Sequence, residues 1–220
     1  MPTFTAIGQT LSYITVYNLI VGKVRVALPT NFMGVCIKME FIKNEVTNAI
    51  MERRSVRGYS DEPITQDELY TLLQCGLWAP SGRNSQSTKF AVLQGKEILQ
   101  ELQNDVMAFT EKPSKWMSNG FYYNAPCLIF LFGKKGDRWT GINAACAAEN
   151  IHLAAHSLGL SSIIIGIIRE FMLSENAKKW IDILKMPEDH EFCLAVAVGH
   201  GTDPGMVLKR KEGNLTNIEF

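Results

Sequence analysis

No stretch of this sequence holds the ~18 uninterrupted apolar residues that a membrane-spanning helix needs. The nearest, Leu11 to Leu28, is broken by Ser12, Asn18, Lys23 and Arg25, and it has neither the basic start nor the small-residue cleavage site of a signal peptide. Surplus charge is missing too: 22 lysines and arginines balance 22 aspartates and glutamates. No long-range field therefore gathers nucleic acid or an anionic membrane, and neither is expected as a partner. Cysteine is sparse. Cys36, Cys75, Cys127, Cys146 and Cys193 are odd in number, show no C-x-x-C spacing and mostly sit in apolar segments. That argues against a disulfide scaffold and for reduced thiols in a cytoplasmic protein. Repeats, low-complexity tracts and compositional breaks are also absent, so the 220 residues are read around one sizeable core.

What is present alternates helical and extended patterns. Asn44 to Arg53 reads as a helix with Val46, Ala49 and Ile50 at helical spacing. Thr65-Gln66-Asp67-Glu68 is a capping box opening a helix with Leu69, Leu72, Leu73 and Leu77 on one face, stopped by Pro80. Lys89 to Gln94 reads as a strand and Lys96 to Phe109 as a helix, followed by a loop with Pro113, Trp116 and Gly120. Cys127 to Phe132 is apolar without alternation, the pattern of a strand covered on both faces. Ile142 to Leu158 is an alanine-rich helix ended by Gly159, and its small side chains suit a central helix or a subunit interface. Ser161 to Gly166 reads as extended, Ser174 to Met186 as a helix and Phe192 to Val198 as a final strand. Intermixed elements of this kind predict an α+β or α/β class, with a sheet sandwiched by helices.

Three basic or polar elements stand out. Arg53-Arg54-Ser55-Val56-Arg57 puts three guanidinium groups and a hydroxyl into five residues. Such a segment is either a solvated surface, partly capping the preceding helix, or an anion site. Ala79-Pro80-Ser81-Gly82-Arg83-Asn84-Ser85-Gln86 is a tight polar loop, open to a reading as ordinary turn chemistry. Lys209-Arg210-Lys211 follows a strand and a glycine-rich turn. Taken in this order and at these distances, the three resemble the FMN-dependent nitroreductase family, whose signature is an R-R-S-x-R segment, an A-P-S-x-x-N-x-Q loop and a late basic pair. The resemblance runs from about Met39 to the C-terminus. Residues 1–38, with a turn at Pro29-Thr30-Asn31, fall outside it as an extension of unknown role, an upstream addition or a misassigned start.

The resemblance implies a nitroreductase-like fold with a central mixed sheet, a homodimer, FMN as cofactor and NAD(P)H as co-substrate. It also implies transfer of reducing equivalents to a small acceptor such as a nitroaromatic or quinone. Flavin reduction, reductive dehalogenation, or flavin carriage without turnover are the alternatives. FMN presents a phosphate, a hydroxylated chain and a flat ring, so its site needs cations, short donors and apolar walls. By resemblance Arg57 lies at the ring edge, Arg53 and Ser55 toward the ribityl chain and phosphate, and Arg54 counts with them among the cofactor-binding residues. Lys209 and Lys211 are likewise assigned to the phosphate. Pro80, Ser81 and Asn84 belong to the flavin-contacting loop, in many members reaching the neighbouring subunit's flavin. Ile164, Ile165 and Gly166 match the segment lying against the ring, with Ile165 where some members carry glutamate. No side-chain nucleophile is required, because the cofactor carries the chemistry.

Phe121, Tyr122 and Tyr123 read either as acceptor-pocket lining or as core. Two further constellations carry less. Glu149, His152 and His156 share a helical face as in di-iron or zinc sites, but no second E-x-x-H segment accompanies them. Gly199-His200-Gly201 with Gly205 has the wrong spacing for a dinucleotide fingerprint, and no helix follows. No metal is expected.

Overall fold

The structure is a computed structural model, and it describes residues 17–21, 24–28, 40–111, 117 and 120–210, the first two stretches as backbone only. Two compact units result, Glu45–Val207 and Met1–Asn44 with Leu208–Phe220. In the smaller unit β1 (Tyr17–Val21) pairs antiparallel with β2 (Val24–Leu28), Tyr17 opposite Leu28. The turn expected at Pro29-Thr30-Asn31 lies outside the described residues, as do Cys36, Pro113 and Trp116.

The larger unit opens with α1 (Glu45–Glu52) and α2 (Gln66–Leu77). The capping box of α2 is complete: Thr65 Oγ1 accepts from the Glu68 amide, and the Thr65 amide donates to Glu68 Oε2 at 2.7 Å. Then come β3 (Lys89–Gln94), α3 (Lys96–Phe109), β4 (Cys127–Lys134), α4 (Thr140–Ser157), β5 (Ser161–Ile165), α5 (Arg169–Met172), α6 (Lys178–Ile183) and β6 (His190–Gly199). The four strands of this unit form one sheet in the order β3-β4-β6-β5, every neighbouring pair antiparallel. The mixed character expected of the sheet enters only through a parallel bridge between Ser55 and Ser162 on β5.

The unalternated run in β4 is covered on both faces, as its pattern predicts. Leu128, Phe130 and Phe132 point into one apolar cluster with Leu99, Leu102, Phe192 and Trp180, while Cys127, Ile129 and Leu131 point into another with Leu72, Ala144, Ala148 and Ile151. Period two along the strand divides consecutive residues between two cores. Helix α4 lies on the second face, where its alanines let α2 approach. At Gly76 a Cβ would stand 3.0 Å from Ile151 Cδ1, so the two helices meet closely there. Phe121 and Tyr122 belong to the first core, which favours the packing reading of those aromatics.

Two expectations change. The helix expected over 174–186 is a 3₁₀ turn, Glu175–Ala177, followed by α6. It stops short because Lys185 adopts φ 51° and Met186 N–H donates back to Ile181 O at 3.1 Å, a Schellman-type ending. Leu77 does not share the buried face of Leu69 and Leu72; it is 55% exposed and lines a surface cavity. Helix α1 has its apolar spacing, yet none of its residues is buried.

Candidate functional site

The arginine segment is tied to β5 and to the turn after β6 by two isolated bridges, Ser55 to Ser162 and Tyr59 to Gly201. Val56 N–H donates to Ser162 O at 3.3 Å beside the Ser55–Ser162 bridge, and farther on Ser60 N–H donates to His200 O and Thr202 N–H to Gly58 O, both at 2.9 Å. Glycines permit this closeness. A Cβ on Gly201 would stand 2.4 Å from Ser161 Oγ, and one on Gly58 2.8 Å from Thr202 Oγ1. The Gly199-His200-Gly201 stretch thus serves close packing. Asp203, a residue without any signal in the sequence pattern, accepts from Arg57 N–H at 3.0 Å and from Gly205 N–H at 2.6 Å, pinning the segment at its far end. Tyr59 is buried beneath, its hydroxyl donating to Val56 O at 3.1 Å; burial, then the nearby Asp203 carboxylate, pushes its pKa far up.

The guanidinium groups divide their work. Arg54 Nη1 donates to Met51 O and Arg53 O, each at 2.7 Å, so it caps the C-terminal end of α1. Arg57 Nη1 reaches Ser55 O at 3.3 Å. Arg53 stands 3.8 Å from Glu149 on α4, and its Nε is buried without a hydrogen-bond partner among the described residues. A cavity of about 180 Å³ opens here, lined by Arg53 and Arg54 with Ser161, Ser162, His156 and Asp203 among its walls. Next to it on β5, Ile164 is 40% exposed while Ile165 is buried in the core, and a Cβ on Gly166 would meet nothing within 4 Å. An apolar ledge therefore flanks a hollow in which Arg53 and Arg54 stand with two carboxylates, Glu52 and Asp203.

The Glu149, His152 and His156 face of α4 backs this hollow. Glu149 faces Arg53, and His152, 2% exposed, holds Ser162 Oγ at 2.5 Å through Nδ1. Burial, and then the neighbouring Arg53 charge, lowers the His152 pKa to about 4. Among the described residues no three His, Cys, Asp or Glu side chains are grouped to hold a metal ion.

The polar loop lies elsewhere on the unit. Pro80, Ser81 and Asn84 line a cavity of about 880 Å³ with Leu77, Trp78 and Asn143, and no residue lines both this cavity and the arginine hollow. Arg83, Asn84 and Gln86 all adopt left-handed backbone, at φ 56°, 53° and 48°. Such a run is costly and needs external support. Part of that support is local, with Gln86 N–H donating to Ser81 Oγ at 3.0 Å and Gln86 Nε2 to Asn84 Oδ1 at 3.1 Å. The rest comes from Asn143 of α4. Its Oδ1 accepts from Gly82 N–H at 2.9 Å and its Nδ2 lies 3.4 Å from Ser85 Oγ and Ser87 Oγ. The sequence does carry a signal for Asn143, an amide inside an alanine-rich helix, but only the fold says what it touches. His190 holds the loop's exit, its two ring nitrogens facing Ser87 O at 3.1 Å and Asp189 Oδ1 at 2.7 Å.

Of the late basic pair, Lys209 falls in the other compact unit and Lys211 outside the described residues.

Comparison with known proteins gives a match of the nitroreductase family model to residues 50–200. A nitroreductase from Bacteroides fragilis, solved with bound FMN, is 32% identical with a TM-score of 0.70, over 80% of this chain and 100% of that one. A nitroreductase from Desulfitobacterium hafniense, also with bound FMN, is 27% identical with a TM-score of 0.73, over 81% of this chain and 100% of that one. An FMN reductase of the NAD(P)H type from Bacillus subtilis is 26% identical over 178 residues, 73% of this chain and 67% of its own length.

Proposed function

The chain belongs to the nitroreductase family, and on that premise we propose that it is an NAD(P)H-dependent FMN oxidoreductase acting on small acceptors such as nitroaromatics or quinones. The observation that carries the reading is the Arg53 hollow. The Arg53 guanidinium, its Nε without a hydrogen bond and 3.8 Å from Glu149, stands beside Ser161, Ser162 and the partly exposed Ile164, and offers a charged ligand with a flat apolar part what it needs. FMN, when bound, supplies the two-electron chemistry between the nicotinamide donor and the acceptor. Arg53 and Ser55 would meet its polar end, Arg57 its ring edge, and Ile164 to Gly166 the ring face. Asp203, through the Arg57 amide, keeps that arginine where a fixed cation stabilises negative charge developing on reduction. Arg54 contributes by ending α1, which delivers the segment.

The same reading makes the active unit a homodimer in which Pro80, Ser81 and Asn84 serve the flavin of the opposite chain. It is supported by the separation of the two cavities and by the apolar surface beside the loop, where Trp78 is 83% exposed and Leu77, Tyr70 and Ile142 are exposed as well. The test begins with an absorbance spectrum of the purified protein, followed by chromatography of the released cofactor. FMN is expected; recovery of FAD, or no flavin after reconstitution, would sink the assignment. Steady NAD(P)H consumption with a nitroaromatic or a quinone then separates an oxidoreductase from a flavin carrier.

A further inference from the structure

We propose that His152 is a positioning residue for the flavin site, acting through Ser162 on the arginine segment. It touches no reacting atom and rests on the flavin reading above. Ser162 is the joint. Its Oγ is held by His152 Nδ1 at 2.5 Å, its carbonyl accepts from Val56 N–H at 3.3 Å, and it faces Ser55 across the parallel bridge. Both side chains are buried, His152 and Ser162 at 2% exposure each.

There is little slack to absorb a shift of this joint. The Cβ position of Gly201 stands 2.8 Å from Ser161 Cβ and 3.1 Å from Val56 Cγ1, so β5, the arginine segment and the turn after β6 are packed to contact. A displaced Ser162 therefore moves Ser55 and Val56 with it, and with them the residues that carry Arg53 and Arg57. Helix α4 makes the anchor rigid, because Ile151 beside His152 is fully buried against the sheet. The buried neighbours of His152 along α4, Ala148, Ile151 and Ala155, have no side-chain group that can bond a hydroxyl. What His152 adds is one ring nitrogen directed at one hydroxyl.

The experiment uses the full chain freed of flavin, with FMN itself as the probe, and reads the dissociation constant by quenching of flavin fluorescence. His152→Leu and Ser162→Ala are each expected to weaken FMN binding about tenfold, the worth of one buried hydrogen bond, and the double variant no more than either alone. His152→Asn, whose amide reaches the Nδ1 position, is expected to restore binding to within about threefold of wild type. Thermal melts of each flavin-free variant confine the comparison to folded protein; should His152→Leu not fold, Ser162→Ala decides. Ser162→Ala binding FMN as tightly as wild type overturns the inference and leaves the flavin reading standing. Equal loss in His152→Asn and His152→Leu overturns it too, since packing rather than the hydrogen bond would then be at work. Failure of the wild type to bind FMN overturns both.

Discussion

At the scale of single residues, this chain separates charges by what surrounds them. Three arginines within five residues end in three settings: Arg54 on the carbonyls closing α1, Arg57 along its own segment with its amide on Asp203, and Arg53 facing the α4 carboxylate Glu149. Replacing Arg57 with Ala is expected to lower the flavin potential and slow flavin reduction by about tenfold or more, because a fixed cation no longer meets the developing charge. Potentiometry and stopped-flow reduction check this, and values equal to wild type would move Arg57 away from the ring. His152 gives a prediction in pH. Its folded pKa of about 4 lies below the ordinary 6.5. The unfolded chain thus binds the proton more readily, and the stability linked to this ring is present above pH 6.5 and lost as pH falls toward 4. The shift corresponds to about 3 kcal/mol. Denaturant melts between pH 7 and 4 should show a decline that His152→Asn removes; parallel curves for the two proteins would contradict it.

At the scale of elements, boundaries followed local chemistry where that chemistry was strong. The capping box starts α2 at Gln66, and Thr65→Ala is expected to cost about 1 kcal/mol, read as a lower denaturant midpoint at unchanged slope. The same contact lowers the Glu68 pKa through the Thr65 amide and then its hydroxyl, so this contribution is kept above the ordinary carboxylate pKa and lost as pH falls through the lowered value. It stays small, since the contact lies at the solvent-exposed surface. The polar loop is a tertiary construction by contrast. Gly82 has its Cβ position 2.7 Å from the Trp139 ring, so Gly82→Ala must displace the loop or the indole. Weaker retention of FMN together with a shifted tryptophan emission is expected, and unchanged values of both would show that the loop geometry is not critical.

At the scale of the whole molecule, the two parts of the proposed site line separate cavities on one unit, and the proposed shared-site dimer would reunite them. Mixed dimers test this. One chain carries Arg53→Ala and Arg57→Ala, the other Ser81→Ala and Asn84→Ala, after each homodimer has been shown to lose flavin. A purified heterodimer should regain about half the wild-type flavin, since one of its two sites then draws every ligand from unmutated segments. No recovery would mean that each chain builds its own site. Among the described residues no helix is long and apolar enough to cross a membrane.

By itself the sequence determined the local features: the capping box, the strand and helix over Lys89–Gln94 and Lys96–Phe109, the doubly covered run in β4 and the family signature. All but the signature, which is a pattern of residue types along the chain, rest on neighbours within a few residues, where periodicity and hydrogen-bond reach act directly. Other features required chain segments far apart to meet. Asp203 lies 146 positions from Arg57, Asn143 lies 61 from Gly82, and Ser162 lies between His152 and the arginine segment. The same is true of Leu77 coming out to the surface, which apolar spacing does not foretell. Spacing says which residues share a face; only the closed fold says what that face meets, because burial and long-range hydrogen bonds exist only after the distant segments have been brought together.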